Sequence, residues 1–302
     1  MNTEFMKGVV VPILTVIDGE EKIDEAGMRD QVEYVIQGGV SGILAFGSNG
    51  EFYMVEEDEM ERGLKIMVDQ SAGRVPVYFG IGAISTKKCC RLAQMAVKNG
   101  AAAVSVLQPM FLKPTYAELY NHFKTIAESV PETPVLLYNN PGRVGYTLSA
   151  QLVEELAHTV PNIVGMKDTI SGMDHTRELI KVVKSQIPSF EIYSGFDDNF
   201  AHNVLAGGNG CIGALSNVVP EVCSAWVRAF RENDLDGIAR GQQTIDRLMD
   251  LYAVRSPFLP VIKEACKLRG VVASSTGTFP MPNATVEDDA KILELLRREG
   301  VE

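Results

Sequence analysis

One pattern recurs eight times along the chain and governs what it can fold into. A short run of β-type apolar residues is followed by an amphipathic, helical stretch. The runs are Gly8–Leu14, Gly42–Phe46, Val75–Phe79, Ala103–Leu107, Val135–Tyr138, Ile163–Met166, Phe190–Tyr193 and Gly210–Ile212. They start roughly 20 to 35 residues apart, the length of a βαβ unit. They are continuously apolar rather than alternating, as strands are when both faces are covered. Helix signals fill the intervals. Asp24 opens the first helix, and Glu56–Gln70 carries acids early and Lys65 late, as the helix dipole prefers. Ser85 and Thr86 cap the third, which ends at Asn99-Gly100, and Thr115 caps the fourth. Eight such units predict an α/β fold, a closed (β/α)8 TIM barrel. A doubly wound open sheet alternates in the same way, but the chain has neither a GxGxxG fingerprint nor a linker between halves. Residues 1–233 are therefore expected to form the barrel and carry the active site. Residues 234–302 show helical segments at 234–253, 257–269 and 285–299 and no strand, and are expected to be a helical extension packed on the barrel.

Composition removes several classes of function. The 302 residues include 28 Lys and Arg against 39 Asp and Glu, a net charge of −11. An acidic chain without basic clusters repels phosphate backbones, which argues against nucleic-acid binding. No apolar run reaches the length of a membrane span. The stretch Gly8–Ile17 contains Pro12 and no small-residue cleavage site, so it is read as a buried strand rather than a signal peptide. Five irregularly spaced cysteines fit free thiols and a cytoplasmic location better than a disulfide framework. His122, His158, His175 and His202 lie far apart, without HxH or HExxH, so no metal is expected.

In such barrels the chemistry sits at the carboxyl ends of the strands. Lys167 follows the apolar run Ile163–Met166. A lysine held against apolar surface at the barrel mouth favours the neutral amine that attacks a carbonyl to form a Schiff base. Alternatively it caps the strand and pairs with Asp168. Tyr138 ends the preceding strand, so its hydroxyl is expected beside Lys167, as a proton shuttle or as a core phenol. Gly47-Ser48-Asn49-Gly50 offers backbone N–H groups and a hydroxyl, either a cradle for a carboxylate or a plain turn. Arg143 either binds a second carboxylate bidentately or is an ordinary surface arginine.

Taken together, these residues resemble the dihydrodipicolinate synthase / N-acetylneuraminate lyase family. The motifs GSNGE (Gly47–Glu51), YNNPGR (Tyr138–Arg143) and GMKDT (Gly165–Thr169) carry the match, with GIGAIST (Gly80–Thr86) and SGFDD (Ser194–Asp198) in support. The resemblance covers essentially the whole chain. It implies a class I aldolase or lyase in which Lys167 forms an imine with pyruvate. Tyr138 relays the proton and hydrogen-bonds Ser48, and Ser48 and Asn49 hold the pyruvate carboxylate. It implies no metal and no organic cofactor, a small aldehyde or 2-oxo acid as the second partner, and a homotetramer.

The reactions of the family differ in their second substrate. Arg143 stands where synthases bind the carboxylate of aspartate semialdehyde, which makes a dihydrodipicolinate synthase-like condensation the leading reading. Against it, Ser48-Asn49 replaces two threonines, Asp168-Thr169 replaces Glu-Ala, and Phe111 replaces a relay tyrosine. Thr169 and the pair Asp197-Asp198 resemble lyase positions that touch a sugar chain, whereas Ala214 stands where lyases carry serine. Lys-Asp-Thr is similar to aldolases for 2-keto-3-deoxy sugar acids, and the GSNGE motif to those for 4-hydroxy-2-oxoglutarate. Gly195 and Ile212 complete the expected substrate-binding set. A paralogue that binds a 2-oxo acid without turnover is a more distant alternative. At the positions of the lysine-inhibition site of synthases stand Phe52, Tyr53, Ile84, Lys88 and Met110. Lys88 takes the place of an acid, so millimolar L-lysine is expected not to inhibit. Saturable inhibition in an activity assay would overturn that expectation.

Overall fold

The computed structural model describes residues 8–302. Eight parallel strands close into a barrel: β1 (Gly8–Pro12), β2 (Gly42–Ala45), β3 (Val77–Ile81), β4 (Ala103–Leu107), β5 (Val135–Asn139), β6 (Ile163–Asp168), β7 (Glu191–Ser194) and β8 (Gly210–Cys211). Closure is made by β8 pairing β1, with Gly8 opposite Gly210 and Val9 opposite Cys211. This leaves no sheet edge open.

The interior is filled by one inward-facing cluster that includes Val10, Leu44, Tyr78, Leu136, Tyr193 and Ile212. A second and larger core, which includes Val11, Phe79, Leu137, Met166 and Ile192, lies between strands and helices. Both faces of each strand are thus covered, which explains the unbroken apolar runs. The helices start where the sequence signals them. Asp24 accepts from the N–H of Gly27, Ser85 accepts from that of Lys88, and Thr115 forms a reciprocal capping box with Glu118.

Seven of the eight strands differ from the sequence reading by one or two residues at an end, and two of these shifts have a backbone reason. The third strand starts at Val77 rather than Val75, since Pro76 has no N–H to give to the ladder, although its carbonyl accepts from Ile43. The sixth runs on to Asp168, so Lys167 lies within the strand rather than after it. The ladder continues because the N–H of Thr169 donates to Asn139 and that of Gly195 to Asp168. Lys167 is therefore held by strand geometry, not by a loop.

Beyond the barrel the chain forms helices Leu235–Leu248, Leu259–Leu268 and Val286–Arg298. They are joined to the mouth of the barrel by buried polar contacts. Lys263 forms an ion pair with Glu51, in which both side chains are almost fully buried. The N–H of Thr278 donates to Glu51 Oε2 at 2.9 Å. Tyr252 donates its hydroxyl to Asp197 Oδ2 at 2.7 Å.

Candidate active site

The carboxyl ends of the strands open into a cavity of about 700 Å³. The register of β5 on β6 sets its centre. Tyr138 lies opposite Lys167, and Asn139 lies opposite Asp168. Side chains alternate across a strand, so the first pair faces the barrel and the second faces the helices. Lys167 Nζ sits 4.5 Å from the centroid of the Tyr138 ring. Both residues are buried at the floor of the cavity, Lys167 at 4% and Tyr138 at 4% exposure.

The phenol of Tyr138 is held from two sides. Its oxygen is 3.2 Å from Ser48 Oγ and accepts a hydrogen bond from Asn140 Nδ2 at 2.9 Å. Burial pushes the phenol up, but the ammonium of Lys167 and the hydrogen bonds with Ser48 and Asn140 more than offset it. The group therefore sits below its ordinary value. Thr169 also leans toward this phenol, yet its buried Oγ1 completes no hydrogen bond among the described residues.

Ser48 and Asn49 enter from a short 3-10 turn after β2, Ser48–Gly50. The turn is flanked by two residues in the left-handed region, Phe46 with φ +50° and Glu51 with φ +57°. Such a conformation is held only when its surroundings fix it. Here the fully buried Glu51 is fixed by Lys263 and by the Thr278 N–H.

Most of the residues singled out by sequence meet in this cavity. Ser48, Asn49, Tyr138, Arg143, Lys167, Thr169, Gly195 and Ile212 all line it. Gly195 has a steric reason, because a Cβ there would stand 1.8 Å from Thr169 Oγ1. Asp197 and Asp198 do not line the cavity. The 3-10 turn Asp197–Asn199 carries Asp197 behind Gly213, where a Cβ would lie 2.2 Å from its Oδ1, and there it accepts from Tyr252. Burial raises the Asp197 carboxyl to about 6, against the lowering effect of the Tyr252 hydrogen bond. Asp198 lies beside the extension, with its backbone oxygen accepting from Gln242. Phe111 is 95% exposed, also with a left-handed φ of +69°, while Met110 beside it lines the cavity. Lys88 is paired with Glu57 on the surface. Among the described residues, no group of three or more His, Cys, Asp or Glu is arranged to hold a metal ion. No helix among them is long and apolar enough to cross a membrane.

Sequence reasoning missed the opposite wall of the cavity. Tyr252, Pro257, Phe258 and Leu259 line it, as do Pro280, Met281 and Pro282. No signal in the sequence marks them, because they reach the barrel only by the return of the chain. It also missed Asn140, although this residue belongs to the YNNPGR motif.

The chain matches the profile of the dihydrodipicolinate synthetase family over residues 5–298. It is 33% identical over 288 residues to the putative 2-dehydro-3-deoxy-D-gluconate aldolase YagE of Escherichia coli (strain K12), covering 95% of this chain and 94% of the relative. It is 33% identical over 294 residues to the probable 2-dehydro-3-deoxy-D-pentonate aldolase YjhH of the same organism, covering 97% of each. A 4-hydroxy-tetrahydrodipicolinate synthase of Syntrophus aciditrophicus (strain SB) is 32% identical, covering 98% of this chain and 99% of the synthase. The crystal structure of YagE, a prophage protein in complex with pyruvate, superposes with a TM-score of 0.95 at 32% identity, covering 98% of this chain and 99% of that one. With the fold, the strand-end lysine and these relatives in agreement, this chain belongs to the dihydrodipicolinate synthetase family, whose members are lyases acting through a Schiff-base lysine.

Proposed function

We propose that this protein cleaves a 2-keto-3-deoxy sugar acid to pyruvate and an aldehyde, with Lys167 as the imine-forming lysine. The observation that carries the reading is Thr169, which lines the cavity beside Lys167 and Tyr138 and offers a side-chain hydroxyl to the chain of a sugar acid. The two sugar-acid aldolases among the relatives support the same choice. So does Phe111, which has no hydroxyl to relay a proton. The synthase reading that Arg143 favours therefore gives way to one in which Arg143, at the exposed rim of the cavity, meets the polar tail of the substrate.

The steps follow from the positions of the side chains. Lys167 Nζ attacks C2 of the substrate, and water leaves as the imine forms. Tyr138 takes the proton of the C4 hydroxyl. The C3–C4 bond breaks, its electrons pass into the C2–C3 enamine, and the aldehyde departs. Tyr138 returns the proton to C3, and water hydrolyses the imine to release pyruvate. Ser48 and Asn49 hold the carboxylate at C1. The exposed apolar side chains of Ile84, Phe111 and Leu112 support assembly of copies, and a homotetramer is the expected form. Sedimentation analysis tests it.

The test of the activity is pyruvate release from 2-keto-3-deoxygluconate and 2-keto-3-deoxypentonate, read with a coupled lactate dehydrogenase. N-acetylneuraminate and 4-hydroxy-2-oxoglutarate serve as controls. Turnover of a sugar acid is expected. No turnover of any of them, together with efficient condensation of pyruvate with aspartate semialdehyde, would return the protein to the synthases.

A further inference from the structure

Asp168 is the neighbour of Lys167 on β6 and points the other way, out of the barrel and under the helices. Its side chain is fully buried. It accepts from Asn139 Nδ2 at 2.8 Å, from Thr176 Oγ1 at 2.7 Å and from His175 Nδ1 at 3.0 Å. His175 and Thr176 lie in the first turn of helix Asp174–Leu179. The other ring nitrogen of His175, Nε2, lies 2.8 Å from the carbonyl oxygen of Leu148.

Both nitrogens of a buried imidazole thus face acceptors. A neutral ring has a single N–H, so one nitrogen would present a lone pair to an oxygen. The imidazolium satisfies both contacts at once. Among the described residues His175 is also the single basic side chain paired with Asp168. Burial opposes the charge on His175, but the Asp168 carboxylate and the Leu148 carbonyl prevail, and the ring is held above its ordinary value.

The clamp connects to the reacting side of the strands. Asn139 Oδ1 accepts from Gln108 Nε2 at 3.1 Å and from the N–H of Leu148 at 3.1 Å. Gln108 Oε1 accepts from the N–H of Asn140 at 3.0 Å. Asn140 in turn donates to the Tyr138 phenol. One continuous run of hydrogen bonds therefore passes from His175 to the ends of β4, β5 and β6.

We propose that His175 is a positioning residue. As a buried imidazolium it clamps Asp168, and through Asp168 and Asn139 it keeps Lys167 and Tyr138 aligned for imine formation. The inference rests on Lys167 being the imine-forming lysine. Without the clamp, the carboxylate beside Lys167 is left buried with no counter-charge, held only by Asn139 and Thr176, and the strand end shifts to relieve it.

The experiment is the rate at which pyruvate and cyanoborohydride trap Lys167, followed by peptide mapping across a range of pyruvate concentrations. In His175→Gln the saturating rate is expected to fall by about 10- to 100-fold, the scale of a misplaced reacting group, with half-saturation within about threefold of the wild type. Thr176→Val, which removes one hydrogen bond to the same carboxylate, is expected to slow the same step by about fivefold. It carries the test if His175→Gln does not fold. Nitrogen-15 NMR of the wild type near neutral pH is expected to show His175 protonated on both ring nitrogens. Wild-type trapping rates in the variants, a raised half-saturation with an unchanged maximal rate, or a neutral His175 ring would each overturn the inference. Absence of trapping at Lys167 in the wild type would instead overturn the reading of the site, and this inference with it.

Discussion

The two walls of the cavity are built on different principles. The barrel wall presents Ser48, Tyr138, Asn140, Lys167 and Thr169, polar groups set at strand ends or in the turns that follow them. The wall from the extension presents Pro257, Phe258, Leu259, Pro280, Met281 and Pro282, and its one phenol, Tyr252, is already committed to Asp197. The first wall has donors and acceptors where bonds can form and break. The second presents mostly apolar surface. On the proposed reading, chemistry resides on the barrel frame, and the extension shapes the other side of the cavity.

The contrast is broken most completely at Lys167. Lys167→Ala is expected to lower pyruvate release by at least about 10⁴-fold, because no other lysine lines the cavity to form the imine. The coupled assay and the loss of borohydride trapping check it. Tyr138→Phe is expected to cost about 10²–10⁴-fold in kcat, the usual worth of a positioned acid–base group. The fold should be kept, since the ring remains in its apolar setting beside Leu107 and Val144. A variant within a few-fold of the wild type would pass the proton role to another group.

The next largest effect tests how the walls are joined. Burial pushes the ammonium of Lys263 down, and Glu51 partly restores it. Removing one member of such a pair strands the other charge. Lys263→Met is expected to destabilise the protein by about 3–5 kcal/mol in denaturant unfolding. Adding Glu51→Gln should recover part of that loss, because the stranded carboxylate is then gone. If Lys263→Met costs under about 1 kcal/mol, the level of a surface pair, the seam is not where the extension is anchored.

These residues also show what sequence can and cannot disclose. The pairing of Tyr138 with Lys167 was legible because both lie at the ends of neighbouring β runs, and parallel register does the rest. The strand count was legible because coverage on both faces forces continuous apolar runs. Lys167 was expected just past its strand, and the structure puts it inside, since polar residues that still pair in the ladder look like loop. Asp197 and Asp198 resembled substrate contacts, but a 3-10 turn and the missing side chain of Gly213 carry Asp197 behind the wall. The wall of Tyr252, Phe258 and Met281 was illegible because it depends on where a long return of the chain docks. His175 looked like a lone histidine, and only the tertiary fold gives it two acceptors.

The smallest effect concerns the tie between Asp197 and Tyr252. The Asp197 carboxyl is raised from 3.8 to about 6, chiefly by burial. A folded protein that holds this proton more tightly than the unfolded chain gains stability at low pH. That gain declines as pH rises from about 4 to about 6, and above this the buried charge is carried at a cost of at most about 3 kcal/mol. Asp197→Asn keeps an oxygen to accept from Tyr252 and has no proton to lose. Its stability should therefore follow that of the wild type with this one slope removed, so that the two curves diverge between pH 4 and 6 and run parallel above. Pyruvate release should stay within about tenfold of the wild type, the scale of one perturbed hydrogen bond, because Asp197 does not itself line the cavity. Unfolding curves across pH decide the matter. A slope that persists in Asp197→Asn would assign it to another group and leave the second wall without its titrating anchor. A slope that disappears while activity holds would show that the extension can be tuned without disturbing the strand ends.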